Sequence, residues 1–222
     1  MPDLVLESGT YTLPATRRSP ARPILQNTDL HVAHGERVGI VGPNGTGKTT
    51  ILKVLAGMLR LDSGSLRNGT VSADSRSQAY QRSVHLMLGG PLGFYPRLTG
   101  VENLQFVSGV LGHFLTRRQA EAVLASVALG EDDGRRLFAK YSLGMRQRLH
   151  LAAAVIDRDA TVWLMDEPTT GLDAAGVELL SGMVLGEPGG AAVAKIIVSH
   201  DREFLERVCH RTVELRHGAL VA

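Results

Sequence analysis

The segment GPNGTGKTT at 42–50 has the residue types and the spacing of a phosphate-binding loop. It matches the pattern G-x-x-x-x-G-K-[ST] at Gly42, Gly47, Lys48 and Thr49. Glycines allow backbone N–H groups to curl around a polyphosphate. We expect the Lys48 ammonium to reach the β and γ phosphates and the Thr49 hydroxyl to bind Mg²⁺. The predicted phosphate-binding residues are Gly42, Pro43, Asn44, Gly45, Thr46, Gly47, Lys48, Thr49 and Thr50.

Three further polar side chains follow predicted core strands. The apolar run TVWLM ends in Asp166 and Glu167, and AKIIVS ends in His200. Because such side chains face a ligand crevice at the carboxyl edge of a parallel sheet, we expect Asp166 to hold Mg²⁺ through water and Glu167 to polarise the water that attacks a γ-phosphate. Kinase-type enzymes carry a similar aspartate, but the adjacent glutamate favours water as the acceptor. His200 is expected to hydrogen-bond a γ-phosphate oxygen; the alternative is a polar residue that merely ends a strand.

A second candidate anion site lies at the start of the segment YSLGMRQRL. Ser142 is a favourable N-cap, and Met145, Leu149 and Ile156 fall near helical spacing. The unpaired N–H groups and the dipole at a helix N-terminus attract anions. Since 42–50 already provides one phosphate site, the segment raises the question of whose phosphate the second would hold. The alternative is a capped helix without a ligand.

Strand-like and helix-like segments alternate along most of the chain, which predicts an α/β fold with a mostly parallel core sheet. The segment DSGSLRNGTVSA predicts a turn and a hairpin, and GEDDGRR a polar connector. A helical block interrupts the alternation, and we interpret it as an inserted helical subdomain beside the core. We therefore expect one domain over 1–222, with the core and a small antiparallel β subdomain at about 1–94 and 156–222 and the helical subdomain at about 95–155.

The composition is typical of a globular protein. Hydrophobic residues make up 44% and charged residues 21%, and 24 basic against 22 acidic residues leave a net charge of +2, so no strongly basic tract indicates nucleic acid. No apolar run approaches the ~18–20 residues that cross a bilayer, and the N-terminus lacks the pattern of a secretory signal. The single cysteine, Cys209, excludes an intrachain disulfide and fits a reducing compartment. We expect a cytoplasmic protein.

Together, the segments GPNGTGKTT, YSLGMRQRL, VWLMDEPTTGLD and IIVSHD resemble the ATP-binding subunit of an ABC transporter. The resemblance extends over almost the whole chain and depends on the order and spacing of the four segments. It implies a P-loop NTPase core with ATP and Mg²⁺ as cofactors, in which 42–50 is the Walker A loop, Asp166 the Walker B aspartate and Glu167 the catalytic glutamate. Asp173 in TTGLD matches the D-loop, and His200 matches the switch histidine.

The same resemblance answers the question about the second phosphate. YSLGM occupies the position of the family's LSGGQ signature, which binds the γ-phosphate of an ATP molecule held by a partner subunit. Ser142 and Gly144 match the signature, whereas Tyr141, Leu143 and Met145 depart from it. Leu143 replaces a glycine and would crowd the backbone approach. Variants of the form SxGMRQRL are similar to those of exporters of antibiotics, peptides or lipid-linked polymers.

Two other positions depart from the family pattern. Family members usually have a glutamine after the strand that corresponds to SVHLML, where it contacts Mg²⁺ and couples to the membrane subunit. Here Gly89 and Gly90 occupy that position, and Gln78 and Gln81 precede the strand. The aromatic that stacks on adenine is missing at its usual spacing. Tyr11 is predicted to take this role if the Pro/Arg-rich loop is an insertion, and simple packing of Tyr11 is the alternative. The loop LGGPLGFYPRLTGVENL resembles the one that family members place against a transmembrane partner.

The resemblance implies an ATPase that dimerises, as a homodimer or a heterodimer, around two ATP molecules and drives transport through transmembrane permease subunits on a separate chain. It favours export and a cytoplasmic location, peripheral on the inner face of the cell membrane. The alternative is a soluble ABC ATPase acting on ribosomes or nucleic acid, because SHDREFLERV resembles the translation-factor branch. That branch usually carries two ATPase domains in one chain, so no nucleic-acid partner is expected. A P-loop kinase or GTPase is disfavoured, because no N-K-x-D motif occurs.

Overall fold

The computed structural model of the chain describes residues 2–16, 19–73, 77–89, 93–186 and 193–221. Within these ranges it contains two β-sheets and a set of helices. The strands are β1 (Leu4–Leu13), β2 (Arg22–Val32), β3 (Arg37–Val41), β4 (Ser63–Asn68), β5 (Val71–Ser72), β6 (Val84–Met87), β7 (Val162–Asp166), β8 (Ala194–Val198), β9 (Arg211–Arg216) and β10 (Ala219–Val221). The α-helices are α1 (Lys48–Leu55), α2 (Gln78–Arg82), α3 (Gly100–Val110), α4 (Arg117–Ser126), α5 (Glu131–Arg135), α6 (Leu143–Ile156), α7 (Ala174–Leu185) and α8 (Arg202–Val208), and a 3₁₀ helix spans Phe138–Lys140.

The larger sheet positions the candidate site. Its strand order is β10-β9-β3-β8-β7-β6, and all neighbouring strands are parallel except β10 and β9. The strands β3, β7 and β8 therefore end at one edge, beside the predicted phosphate loop, Asp166 and His200. The second sheet, β2-β1-β4-β5, is antiparallel, and β4 with β5 forms the predicted hairpin. The α/β fold with a parallel core sheet and an antiparallel β subdomain is confirmed.

The larger sheet is buried on both faces, as parallel sheets usually are. Alternate residues of β7 serve the two faces: Val162 and Leu164 pack with α1 and the antiparallel sheet, whereas Trp163 and Met165 pack with α6, α7 and α8. All five residues of β7 are buried, so the strand that carries Asp166 is held from both sides. This packing makes the edge at which Asp166 lies a rigid platform.

The helices α3, α4 and α6 form the predicted helical block, and side chains define where they begin. Thr99 with Glu102, and Thr116 with Gln119, form capping boxes at α3 and α4. The prediction of a polar connector at GEDDGRR was wrong, because this segment forms the short helix α5, whose acidic first turn and basic last turn complement the helix dipole. The division of the chain into subdomains stays a prediction. No helix within the described ranges is long and apolar enough to cross a membrane.

Candidate functional site

The loop between β3 and α1 depends on glycines. Gly45 and Gly47 have φ values of 77° and 109°, a region that side chains with a Cβ rarely adopt. A Cβ at Gly47 would lie 2.7 Å from Cγ2 of Ile24 on β2, so a larger residue would collide with the antiparallel sheet. The N-cap residue of α1 is Gly47, which has no side chain to bond the N–H groups of the first turn. The N–H groups of its first turn are therefore placed to receive an anion.

Lys48 and Thr49 begin α1 and connect the loop to β7. Lys48 is buried, and its ammonium donates to the carbonyl oxygens of Gly42 at 2.7 Å and Pro43 at 3.0 Å. The Thr49 hydroxyl donates to Oδ2 of Asp166 at 2.7 Å. Among the described residues no group of three or more His, Cys, Asp or Glu side chains could hold a metal by itself. A hydroxyl beside one carboxylate nevertheless fits Mg²⁺, which commonly takes one or two protein carboxylates together with substrate phosphates and water.

Glu167 directly follows β7 and has an unusual backbone conformation. Its φ is 49°, in the left-handed region that costs a non-glycine residue on the order of 1–2 kcal/mol. One carboxylate oxygen accepts a hydrogen bond from the backbone N–H of His200 at 3.2 Å, and the other lies 3.4 Å from Nε2 of His200. The Glu167 side chain is 28% exposed, so water can reach its carboxylate. The structure thus brings the two predicted catalytic residues into contact.

A cleft of about 620 Å³ gathers most of the predicted site. Its walls come from the loop and α1, from the residues that follow β7 and β8, and from the start of β2. The predicted residues that line the cleft are Asn44, Gly45, Gly47, Lys48, Thr49, Thr50, Asp166, Glu167 and His200. The neighbouring cavity, of about 300 Å³, is lined by Gly42 and Pro43 and shares Asn44 and His200 with the cleft. Thr46 lines neither, and its hydroxyl donates to the carbonyl oxygen of Pro43 at 2.9 Å.

Two residues of the cleft were not predicted from the sequence. Arg22 begins β2, and its NH1 group donates to the carbonyl oxygen of Gly45 at 2.7 Å. Thr170 follows β7 and lines the same cleft. Thr170 lies within the segment DEPTTGLD, so its polar side chain close to Asp166 was a usable signal. Arg22 carried no such signal, because its contact with the loop arises from the packing of the antiparallel sheet against α1.

Tyr11 does not lie in the cleft. The side chain is 7% exposed and belongs to the hydrophobic cluster between the two sheets. Its position in the middle of β1 turns the ring into this cluster, beside residues such as Ile24 and Leu25. The prediction that Tyr11 stacks on adenine is therefore not supported, and the packing alternative describes what is observed.

The predicted signature residues lie at the N-terminus of α6 and do not line the cleft of their own chain. The Ser142 hydroxyl caps the helix by accepting from the backbone N–H of Met145 at 3.2 Å, and Ser142 is exposed. Tyr141, which departs from the family pattern, points inward, and its hydroxyl donates to the carbonyl oxygen of Asp133 at 2.8 Å. Burial raises the pKa of the Tyr141 phenol to about 12. Ser142 is therefore accessible from outside its own chain.

Helix α6 packs against the segment that begins with Glu167 and ends with Asp173, which we call the 167–173 segment. At Gly144 an added Cβ would lie 2.6 Å from the carbonyl oxygen of Gly171, so only glycine permits this approach. Asp173, at the end of the segment, caps α7 and also accepts from Arg148 at 2.9 Å. The hydrogen bond from the backbone N–H of Gly176, and then the Arg148 guanidinium, lower the pKa of the Asp173 carboxyl. Asp173 is thus held by its own chain, at the side of α6.

The structure explains why the glutamines near β6 cannot replace the missing one. Gln78 and Gln81 lie on α2, which precedes β6, whereas the candidate site lies where the parallel strands end. Gly89 follows β6, and an added Cβ there would be 3.8 Å from the carbonyl oxygen of Asp166. Gly89 therefore reaches the site but offers no side chain. Gly90 lies outside the described residues.

Comparisons with known proteins agree with this geometry. The sequence profile of the ABC transporter family matches residues 25–170. The uncharacterized ABC transporter ATP-binding protein YdbJ of Bacillus subtilis is 33% identical over 91% of this chain and 64% of its own length. The daunorubicin resistance ATP-binding protein DrrA3 of Streptomyces coeruleorubidus is 39% identical over 94% of this chain and 65% of its own length. The chain thus spans about two thirds of the length of these two relatives. Other matched relatives are named for export or for import.

A solved structure supports the fold. The dimeric post-hydrolysis state of the ATP-binding cassette MJ0796, bound to ADP and Pi, matches with a TM-score of 0.83. The sequences are 22% identical, and the match covers 98% of this chain and 96% of the other. At this identity the likeness establishes the fold, and the chemistry must be argued from the residues of the cleft.

Proposed function

This chain belongs to the ABC transporter family, and on that premise we propose that it binds and hydrolyses ATP to drive transport. The observation that carries the proposal is the convergence of three groups of residues in one cleft. Lys48 with its loop suits a polyphosphate, Thr49 with Asp166 suits Mg²⁺, and Glu167 with His200 suits a reacting water and a phosphate oxygen. Each group alone is common, but together they match the requirements of phosphoryl transfer to water.

The residues of the loop would bind the triphosphate. The Lys48 ammonium now donates to two loop carbonyls, and it would exchange these neutral acceptors for the stronger, charged oxygens of the β and γ phosphates. Backbone N–H groups at the start of α1 would donate to the same phosphates. Thr49 and Asp166 would hold Mg²⁺, which when bound neutralises charge on the phosphate oxygens.

Glu167 would act as the general base. Its carboxylate would orient a water molecule in line with the bond between the β and γ phosphates and accept a proton as the water oxygen bonds to phosphorus and that bond breaks. His200 now lies against the Glu167 carboxylate, and its imidazole would donate to a γ-phosphate oxygen once ATP is bound. Inorganic phosphate and ADP are the products.

We further infer that two chains complete each site. Ser142, Gly144 and Asp173 do not line the cleft of their own chain, and the exposed N-terminus of α6 is suited to the γ-phosphate of an ATP molecule held by the partner. ATP would stabilise the closed dimer by the difference between its affinities for the closed and open states. Two identical chains or two related chains both satisfy this arrangement.

A substitution at the signature tests this inference. Ser142→Arg places a bulky cation where the partner's phosphate would bind, and the matched control is Ser126→Arg, at the exposed C-terminus of α4. We expect Ser142→Arg to bind Mg·ATP as a monomer with nearly unchanged affinity but to lose ATP-dependent pairing and turnover, as followed by sedimentation and phosphate release. Loss of ATP binding in the monomer, or turnover equal to that of Ser126→Arg, would contradict the inference.

The partner in transport is proposed to be a membrane-spanning subunit. An apolar surface on and beside α3, which we call the α3 patch, consists of Tyr95, Phe106, Val110 and Phe114, which are 52%, 43%, 68% and 86% exposed. Tyr95 and Phe106 form a T-shaped pair with ring centroids 4.7 Å apart. Contiguous exposed apolar residues of this kind commonly mark an interaction site. Tyr95 itself belongs to the loop that resembles the transporter-facing loop of the family.

Export is the proposed direction, and the proposed location is the cytoplasmic face of the membrane. The name of DrrA3 as a resistance protein supports export, whereas relatives named for import leave direction to experiment. Purification of the chain from its native cells separates the two functional classes. We expect a membrane-spanning protein to co-purify in detergent, and Phe114→Ser to reduce its recovery. Recovery of ribosomes instead would overturn the transport assignment in favour of a soluble ATPase.

A further inference from the structure

We propose that Gln147 is a positioning residue that fixes the backbone of Glu167 and couples this residue to the N-terminus of α6. The proposal rests on the proposed role of Glu167 in ATP hydrolysis and extends it to regulation of the same site. Gln147 lies on α6, is 3% exposed and is not among the residues that line the cleft. It would therefore act through Glu167 and not through the nucleotide.

The contacts of the Gln147 side chain are specific. Its amide nitrogen donates to the carbonyl oxygen of Pro168 at 2.9 Å and to that of Glu167 at 3.3 Å. The first of these bonds is buried, so water cannot readily replace the donor if the amide is removed. The carbonyl oxygen of Glu167 also accepts from the backbone N–H of Thr170 at 3.1 Å. Gln147 thereby ties a tight turn after β7 to the body of α6.

The conformation of Glu167 explains why such a tie is needed. Two peptide groups flank its Cα atom, and their relative orientation defines φ and ψ. The group on the N-terminal side is held because the Glu167 N–H donates to the carbonyl oxygen of Val198 at 2.8 Å. The group on the C-terminal side is held by Gln147. Because a φ of 49° is unfavourable for glutamate, hydrogen bonds to both peptide groups help to keep the carboxylate aimed into the cleft, and Gln147 adds to the bond from Thr170 a donor that lies on α6.

Helix α6 also contacts the rest of the 167–173 segment. Gly144 approaches the backbone of Gly171 closely, and a Cβ at Gly171 would lie 2.6 Å from Cγ of Leu143. Arg148 donates to Asp173 at 2.9 Å. The side chain that holds Glu167 is therefore on the same helix as Ser142, the proposed contact with the partner's ATP. A shift of α6 on engaging that ATP would be passed directly to the Glu167 backbone, so that each active site senses its neighbour.

The test compares Gln147→Leu with a matched control, Gln105→Leu. Gln105 also donates from its amide to a carbonyl oxygen, that of Leu115 at 3.1 Å, but on α3. The first readout is hydrogen exchange of the 167–173 segment, which needs no activity. Loss of two hydrogen bonds should raise exchange there by about ten-fold or more in Gln147→Leu and leave it unchanged in Gln105→Leu. Equal exchange in the two variants would overturn the proposal.

The second readout separates positioning from general stability. In Gln147→Leu, kcat should fall by about ten- to hundred-fold, whereas the Kd for Mg·ATP should stay within about two-fold. Combining Gln147→Leu with Glu167→Gln should cause no further loss in single-turnover rate, because the positioned carboxylate is already absent. Additive losses, or a matching rise in Kd, would mean that Gln147 is merely structural. A wild-type chain that binds no ATP would refute the proposed function. The hydrogen exchange of the 167–173 segment in Gln147→Leu and Gln105→Leu would still show whether Gln147 holds the Glu167 backbone.

Discussion

Replacing Gly144 by alanine probes how closely α6 packs on the 167–173 segment. Inside a helix, alanine is normally more stable than glycine by roughly 1 kcal/mol. At Gly144, however, the added Cβ would lie 2.6 Å from the carbonyl oxygen of Gly171, and real Cβ atoms essentially never approach closer than 3.0 Å. The carbonyl belongs to the backbone, so relief requires α6 and the segment to separate. Overpacking of this kind costs about 1–3 kcal/mol, which exceeds or cancels the helical gain.

Gly182→Ala provides the matched control. Gly182 lies inside α7, and an added Cβ there would have no atom within 4 Å. This variant should therefore show only the helical gain of up to about 1 kcal/mol. The difference in the free energy of unfolding between the two variants, measured by urea denaturation, should be about 1–3 kcal/mol in favour of Gly182→Ala. Gly144→Ala should also reduce kcat, because the displaced segment begins at Glu167, with little change in ATP affinity.

The reasoning would be refuted by a Gly144→Ala protein as stable as Gly182→Ala. Such a result would mean that α6 and Gly171 are not in the contact described, and it would remove one of the contacts between α6 and the 167–173 segment. A stable Gly144→Ala variant with unchanged turnover would also exclude a role of this packing in catalysis.

Three further outcomes are expected. Arg22→Ala should weaken ATP binding by about three- to ten-fold, measured by calorimetry, because the loop loses the hydrogen bond to Gly45; unchanged binding would show that Arg22 does not support the loop. Thr49→Val should reduce the gain in ATP affinity that Mg²⁺ produces by at least about ten-fold and leave the ATP affinity in EDTA unchanged, because the hydroxyl beside Asp166 is lost. An equal loss of affinity with and without Mg²⁺ would contradict the role of Thr49 as a ligand. Burial, and then the charge of Arg37, lower the pKa of Lys195 to about 8 from 10.5. Between these pH values the unfolded chain therefore binds one proton more than the folded chain. The free energy of unfolding of the wild type, relative to that of Lys195→Met, should rise between about pH 8 and pH 10.5 by about 1–3 kcal/mol after allowance for solvent screening. Free energies of unfolding that change with pH in parallel for the two proteins, measured in denaturant, would contradict the shift.

The parts of the site that could be predicted are those whose signal is local. The loop at 42–50 combines glycines with a lysine and a threonine at fixed spacing, and Asp166 with Glu167 directly follows an apolar run. Ser142 was recognisable as a cap because its partner, Met145, is three residues away. In each case neighbours in sequence are neighbours in space, so the pattern itself contains the contact.

The parts that could not be predicted depend on contacts between distant segments. Tyr11 is the single Phe, Tyr or Trp residue before the loop, but the packing of two sheets buries it. Arg22 reaches the loop, and Gln147 reaches the turn after β7, through hydrogen bonds across 23 and 21 positions of sequence. A glutamine or an arginine on its own is typical of an exposed surface. Only the assembled fold shows which of them faces the site.

Hydrolysis by Glu167→Gln tests the central claim most directly. The substitution keeps the shape of the side chain but removes the carboxylate proposed to accept the proton of the attacking water. With radiolabelled Mg·ATP under single-turnover conditions, the account predicts that the variant binds ATP with an affinity within about two-fold of wild type and hydrolyses it at least about a hundred-fold more slowly. A Glu167→Gln protein that hydrolyses bound ATP at the wild-type rate would contradict the account.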